Sequence, residues 1–228
     1  MAAADQQAAQ VAVADHLSAQ VSAAWSALLH VGALKLTLPR LSVAVAALVH
    51  QYGRASAALA VHYYEERRLE AGVTGKFTPV PADPASADAV DEAVRWATRD
   101  LWSRQPDVTA ARRSVQAVSE KLALDTGRDT VIGAVHADRK ARGWARVTEP
   151  GACYFCAMLA TRGMAYRSEK TADFRSHDHC RCHAEPVFTA YEPSAQIREW
   201  QALWHGSTRG HSGKAAIKAF RQEYEGRK

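Results

Sequence analysis

The stretch Gly151–Phe188, GACYFCAMLATRGMAYRSEKTADFRSHDHCRCHAEPVF, holds all four cysteines of the 228-residue chain, with three histidines among them. Cys153 and Cys156 form a C-x-x-C pair, and twenty-four positions after Cys156 come Cys180 and Cys182, flanked by His177, His179 and His183. Two thiolates three residues apart can face one ion across a tight turn, and soft thiolates with imidazoles at hand suit tetrahedral zinc. The loop from Arg162 to His183 has few large apolar residues beyond Met164, Tyr166 and Phe174. A metal would staple it to the helix CYFCAMLA. A structural zinc is therefore the expected cofactor, with Cys153, Cys156, His177, Cys180 and Cys182 as candidate ligands and His179 as the alternative imidazole.

The same residues leave other readings open. The second pair is C-x-C, and in a strand successive side chains alternate, so one of Cys180 and Cys182 would face away and His177 or His179 would complete the site. The thiols could instead pack as small buried apolar groups, or pair as disulfides in an extracellular particle. Catalytic readings fare worse. A zinc deaminase needs a glutamate two positions after its histidine, and His136-Ala137-Asp138 offers an aspartate. A thioredoxin-like C-x-x-C belongs in a βαβ pattern that is missing here, and no P-loop or dinucleotide fingerprint occurs. No catalytic residue, small-molecule substrate or cofactor beyond the metal is expected, and His136 and His205 read as surface or core residues.

Working outward from the cluster, WARVT (144–148) has the aromatic and β-branched character of a short strand. Upstream, helices are expected over 88–104, over 107–124 with Asp107 as cap and Gly127 as terminator, and over 129–141. Downstream, Ser194 and Ser212 are placed to cap two helices, one carrying Ile197, Trp200 and Trp204, the other Ile217 and Phe220. The N-terminal seventy residues read as a helical hairpin. Val13, Leu17, Val21, Trp25 and Leu28 stripe a first helix over 5–30, Leu38-Pro39 interrupts, and Leu41, Val45, Leu48, Tyr52, Leu59 and Tyr63 stripe a second from Pro39 to Glu70. AGVTGKFTPVPADPAS (71–86), with two glycines and three prolines, cannot continue a helix.

The expected fold class is thus mainly α. A long N-terminal helical hairpin (1–70) leads through a Pro/Gly-rich linker or arm (71–87) to a helical C-terminal domain (88–228). That domain has a small β element around a Cys/His module at about 144–188.

Composition narrows the functional classes. Hydrophobic residues make up 47% and charged residues 23%, as in ordinary globular chains. The formal net charge of +5 is uneven: basic and acidic residues balance through residue 70 and nearly so through 150, whereas residues 151–228 carry 12 basic against 8 acidic. A modest attraction of that last third to DNA is expected. The chain has no run of eighteen apolar residues and no cationic N-terminal leader, so neither a transmembrane helix nor a signal peptide is expected. Synthesis in a reducing cytoplasm follows.

The C-x-x-C helix, Gly163, then His177, Cys180, Arg181, Cys182, Pro186 and Val187 together resemble the C-terminal domain of the phage Mu protein F-like minor head proteins. GWARVTEPGACYFCAMLATRG, YRSEKTADFRSHDHCRC and the terminal SGKAAIKAFR resemble the version found in tailed phages of actinobacteria. The resemblance is strongest over 143–188, extends weakly from about residue 89 to the C-terminus, and does not reach the first seventy residues. It departs in one place: His177-Asp178-His179 stands where the family usually has His-Pro.

The resemblance implies a low-copy structural protein of head morphogenesis and no enzymatic activity. Such a protein is incorporated with the portal and other capsid proteins and lies inside the head near the portal vertex, where it contacts packaged DNA. The competing reading is a zinc-stabilised nucleic-acid-binding protein that is no part of a capsid. No membrane partner is expected under either reading, and the oligomeric state is left open.

Overall fold

The computed structural model describes residues 3–148, 151–164, 174 and 176–227. Among them seven α-helices and one two-stranded sheet form a mainly helical fold: α1 (Ala3–Leu28), α2 (Leu34–Glu70), α3 (Ala87–Ala97), α4 (Val108–Ala137), β1 (Gly143–Val147), α5 (Tyr154–Ala160), β2 (His183–Val187), α6 (Ala195–Ser207) and α7 (Gly213–Glu225). α2 and α4 lie along each other with α1 packed on both, while α3 covers their far end and the sheet, α5, α6 and α7 gather at the near end. β1 and β2 are antiparallel, with Trp144 opposite Pro186 and Val147 opposite His183.

The α1 stripe is only partly the expected one. Leu17, Val21 and Trp25 are buried, but Val13 is half-buried, and the positions above them are filled by Gln6, Gln10 and Ala14. Polar residues serve there because Gln10 meets the α2 backbone: its Nε2 donates to the Ser56 carbonyl at 3.2 Å and its Oε1 accepts from Ser56 Oγ at 2.7 Å.

α2 begins five residues before Pro39, which therefore sits inside the helix. The proline lacks an N–H to give the Lys35 carbonyl, a loss confined to the second turn. Val31–Glu70 is long and apolar enough to cross a membrane by length and composition alone, with a mean hydropathy of 1.5 over eighteen residues, 28% of them buried. Leu41, Val45 and Val49 on one side of it enter a helical core with Leu17, Val21, Val90, Val94 and Val115.

α3 stops at Ala97, short of the expected 104. The Thr98 hydroxyl donates to the Val94 carbonyl at 2.7 Å and a 3₁₀ turn, Arg99–Trp102, follows.

Two expected helices are one. α4 runs without a break through Gly127, and a Cβ there would lie 2.3 Å from Ser56 Oγ and 2.9 Å from the Ser56 carbonyl oxygen. Gly127 thus serves the close approach of α2 and is no terminator. A helix interior tolerates glycine at about 1 kcal/mol, which tight packing of two long helices offsets.

Residues 71–86 are irregular and tied down. Arg68 donates to the carbonyls of Val73, Thr74 and Gly75 while holding Asp138 at 2.9 Å, and Ala82 N–H donates to Thr130 Oγ1 at 3.0 Å. Asp107 and Ser194 cap α4 and α6 as the sequence suggests, and Ser86, not singled out there, caps α3. Ser212 stands at the cap position of α7 without a side-chain cap bond.

Candidate metal centre

α5 is short, and Cys153 is its N-cap: Sγ accepts from the Cys156 N–H at 3.4 Å. The cap and the third helical residue lie on the same side of a helix start, which brings both sulfurs to one place. Gly163, with φ of 57°, ends the element through a bond from its N–H to the Ala160 carbonyl at 3.1 Å.

The chain returns at His177. A tight turn follows, closed by Cys180 N–H on the His177 carbonyl at 3.0 Å, with His179 in the left-handed region at φ 60°. His177 Nδ1 faces the Asp178 carbonyl at 2.6 Å, so that nitrogen carries a proton and Nε2 is the one that would give its lone pair to a metal. Nε2 lies 3.0 Å from Cys153 Sγ and 3.2 Å from Cys156 Sγ, and Cys156 Sγ lies 3.6 Å from Cys180 Sγ.

Two overlapping groups result: Cys153, Cys156 and His177 in one, Cys156, Cys180 and Cys182 in the other, each close enough to hold a metal ion. Cys156 belongs to both. The edges of a tetrahedral zinc site with these donors measure roughly 3.5–3.8 Å, so the observed spacings fit one, slightly compact on the histidine side. All four cysteines are free, and 3.6 Å is far beyond the ~2.05 Å of a disulfide.

Cys180 and Cys182 are both buried beside Cys156, against the expectation that one would face away. The alternation argument fails because the strand starts only at His183, and Cys180 and Cys182 lie in the irregular approach to it. His179 is not brought into either group. Its side chain is 59% exposed, with Nδ1 3.4 Å from Glu120 Oε2. His136 and His205 are exposed, and Asp138 is engaged by Arg68. Of the apolar residues expected to hold the loop, Phe174 is buried and stacks on Trp144 at 5.4 Å, while Tyr166 lies outside the described residues.

The donors are crowded together, and each shifts the protonation of its neighbours. The hydrogen bond with Cys156 and then the His177 imidazole hold the Cys153 thiol well below its ordinary range. Contact with Cys156 and Cys182 likewise lowers Cys180. Cys156, hydrogen-bonded to Cys153, Cys180 and Cys182 and buried, is driven up. The Cys153 contact raises His177 to about 9. A divalent ion would replace this proton sharing and let every ligand sulfur ionise.

Three residues that support the return loop were not singled out in the sequence. Arg128, buried on α4, donates through Nε to the Cys182 carbonyl at 2.9 Å and through Nη2 to the Cys180 carbonyl. Its Nη1 meets Asp125 Oδ1 at 2.6 Å, and Asp125 also accepts from Ser176 Oγ at 2.9 Å. α4 thus fixes both ends of the Cys-x-Cys segment by its backbone. The only sequence signal is Lys121, Asp125 and Arg128 at helical spacing, which reads equally as a solvated face.

α1 touches the same segment from the other side. Gln7 Nε2 donates to the Arg181 carbonyl at 2.5 Å, Gln7 Oε1 accepts from His183 Nδ1 at 2.7 Å, and Arg181 pairs with Asp15 at 2.7 Å.

Fold and site define a helical protein with a thiol-rich centre close enough to hold a metal ion, built from an N-cap helix and a return loop. Residues 1–207 match the family model described as VG15 protein, and the chain belongs to that family of phage proteins. The match takes in the N-terminal helices that the sequence resemblance did not reach. No curated protein and no solved structure matches the chain.

Proposed function

We propose that the chain is a minor capsid protein of the phage Mu protein F-like type. It acts in head morphogenesis of a tailed phage, without catalytic activity, and lies inside the head near the portal. The observation that carries the reading is the convergence of Cys153, Cys156, His177, Cys180 and Cys182 in a member of a phage protein family. These are the residues on which the resemblance to minor head proteins rests.

In this reading four of the five donors hold one zinc ion. Cys156 is always among them because both groups need it, and His177 is the imidazole because its Nε2 is the one aimed at sulfur. The metal supplies a cross-link and no reaction. It joins the start of α5 to a loop with few large apolar side chains, and the left-handed His179 costs about 1–3 kcal/mol against the ~10 kcal/mol or more that a structural zinc contributes.

The test is to purify phage particles and quantify the chain by mass spectrometry beside portal protein. In parallel, the recombinant chain is analysed for metal. Low-copy presence in virions and capture by the portal protein, with about one zinc per chain, are the expected results. Absence from both particles and procapsids would reject the capsid role. Salt-dependent binding of free duplex DNA by such a chain would favour the nucleic-acid-binding reading.

A further inference from the structure

The end of the bundle farthest from the cysteines carries a groove of about 490 Å³ between the first turns of α2 and the α3–3₁₀ segment. Leu34, Leu38, Pro39, Val94 and Trp102 line it as apolar floor, and Lys35, Arg95 and Arg99 as basic rim. Asp91 is the one acidic residue of the lining, and it is already engaged by Ser42 Oγ at 2.6 Å and by Arg95. Trp102 in the lining is 55% exposed, and Leu36, Val43 and Trp96 are further exposed large hydrophobics on the helices α2 and α3 that form the groove. Arg99 lies over the Trp96 ring at 4.3 Å.

We propose that this groove is the docking site for an amphipathic α-helix of another protein, whose leucine-like residues enter the groove and whose flanks carry carboxylates. A helix laid in a groove presents apolar anchors at i, i+3, i+4 and i+7. The lining of α2 from Leu34 to Ser42 spans a little over two turns and suits such anchors.

Charge selects the partner. The lining itself holds Lys35, Arg95 and Arg99 against Asp91 alone, which Ser42 already engages, so an acidic flank is attracted to the rim. A second copy docked face to face would oppose one basic rim to another. Nucleic acid would meet only the rim's Lys35, Arg95 and Arg99 and leave the apolar floor uncovered, and a flat lipid surface would leave it unfilled. The proposal rests on the groove alone and holds whether or not the capsid role does.

The test uses the full chain and two labelled sixteen-residue helical peptides. Both carry leucine at i, i+3, i+4 and i+7. One is flanked by glutamates and the other by lysines. Fluorescence anisotropy should show saturable binding of the glutamate peptide, at least tenfold tighter than the lysine peptide. Trp102→Ala should weaken it at least fivefold with the far-UV spectrum unchanged. The double variant Lys35→Glu/Arg99→Glu should reverse the preference between peptides, a readout that loss of folding cannot mimic.

Equal binding of both peptides, binding indifferent to Trp102→Ala, or no saturable binding of the glutamate peptide overturns the proposal. So does self-association abolished by Trp102→Ala, which would make the occupant a second copy. Phosphatidylserine-vesicle binding lost in the same variant would make it a lipid surface and overturn the proposal too.

Discussion

The two ends of the α2–α4 pair solve the same problem differently. At the α3 end, Leu17, Val21, Leu41, Val45, Val49, Val94 and Val115 close a core from long helices alone. At the other end the elements are short: strands of five residues and a helix of seven. The core there mixes Tyr63, Tyr64, Trp144, Phe220 and the cysteines. Long helices carry continuous stripes that bury against one another wherever they meet. Short segments joined by irregular chain need specific ties, which here are the thiol cluster, the Arg128 bonds to two carbonyls and the stacking of Phe174 on Trp144.

The largest expected effect separates the ends outright. Chelation, or Cys156→Ser, which removes a donor from both groups, should release any bound metal and unfold the region around the sheet and α5. The α1–α4 helical signal should persist. Circular dichroism with hydrogen exchange would show this, and an unchanged exchange pattern at residues 151–187 would mean that the two ends do not differ in the way described.

Next in size, Leu41→Ala should cost about 2–5 kcal/mol in urea unfolding and leave metal content untouched. A loss of metal in that variant would couple the ends more tightly than their separate cores imply.

Smaller still is the pair at α4. Gly127→Ala should destabilise by about 1–3 kcal/mol, since its Cβ meets Ser56. Gly133→Ala, with nothing within 4 Å of its Cβ, should stabilise by about 0.5–1 kcal/mol. Thermal melts of the two variants moving in the same direction would contradict the close approach at Ser56.

The smallest effect concerns pH. The Ser42 hydroxyl lowers the Asp91 pKa below its ordinary 3.8, so the folded state holds that proton less tightly than the unfolded one. Its contribution is present above the unfolded value and is lost as pH falls through the folded one. Ser42→Ala should therefore cost up to about 1 kcal/mol at neutral pH, given the exposure of the pair, and progressively less in acid. A cost that grows as pH falls would reverse the assignment.

Much of the fold could be read directly from spacing. Leu17, Val21 and Trp25 on α1, Leu41, Val45 and Tyr63 on α2, the caps at Asp107 and Ser194 and the strand at Trp144 depend on neighbours a few residues away, where helix and strand periods act. Val13, Leu28, Leu48, Tyr52 and Leu59 of the expected stripes are only half-buried. The errors are instructive in the same terms. Gly127 reads as a helix end because local propensity penalises glycine, and only the position of Ser56, seventy-one residues earlier, shows that a side chain is excluded there. Pro39 reads as a first-turn residue, yet α2 starts at Leu34 because a proline in the second turn gives up a single backbone bond. At the site, the cysteines declared themselves by spacing. The choice between His177 and His179 did not, because both stand beside Cys180 in the chain and differ only in where the turn aims them.

What the sequence alone determined is therefore the mainly helical class, the pairing of Cys153 with Cys156 across a helix start, and a thiol-rich return at Cys180 and Cys182. These follow from interactions within one or two turns of chain. Tertiary structure decided that α4 is one helix, that Arg128 and Asp125 hold the return loop, and that His177 rather than His179 faces the sulfurs. It also left an apolar groove with a basic rim open at the far end. Each of these depends on groups brought together from distant parts of the chain, and contact of that kind has no period for a sequence to display.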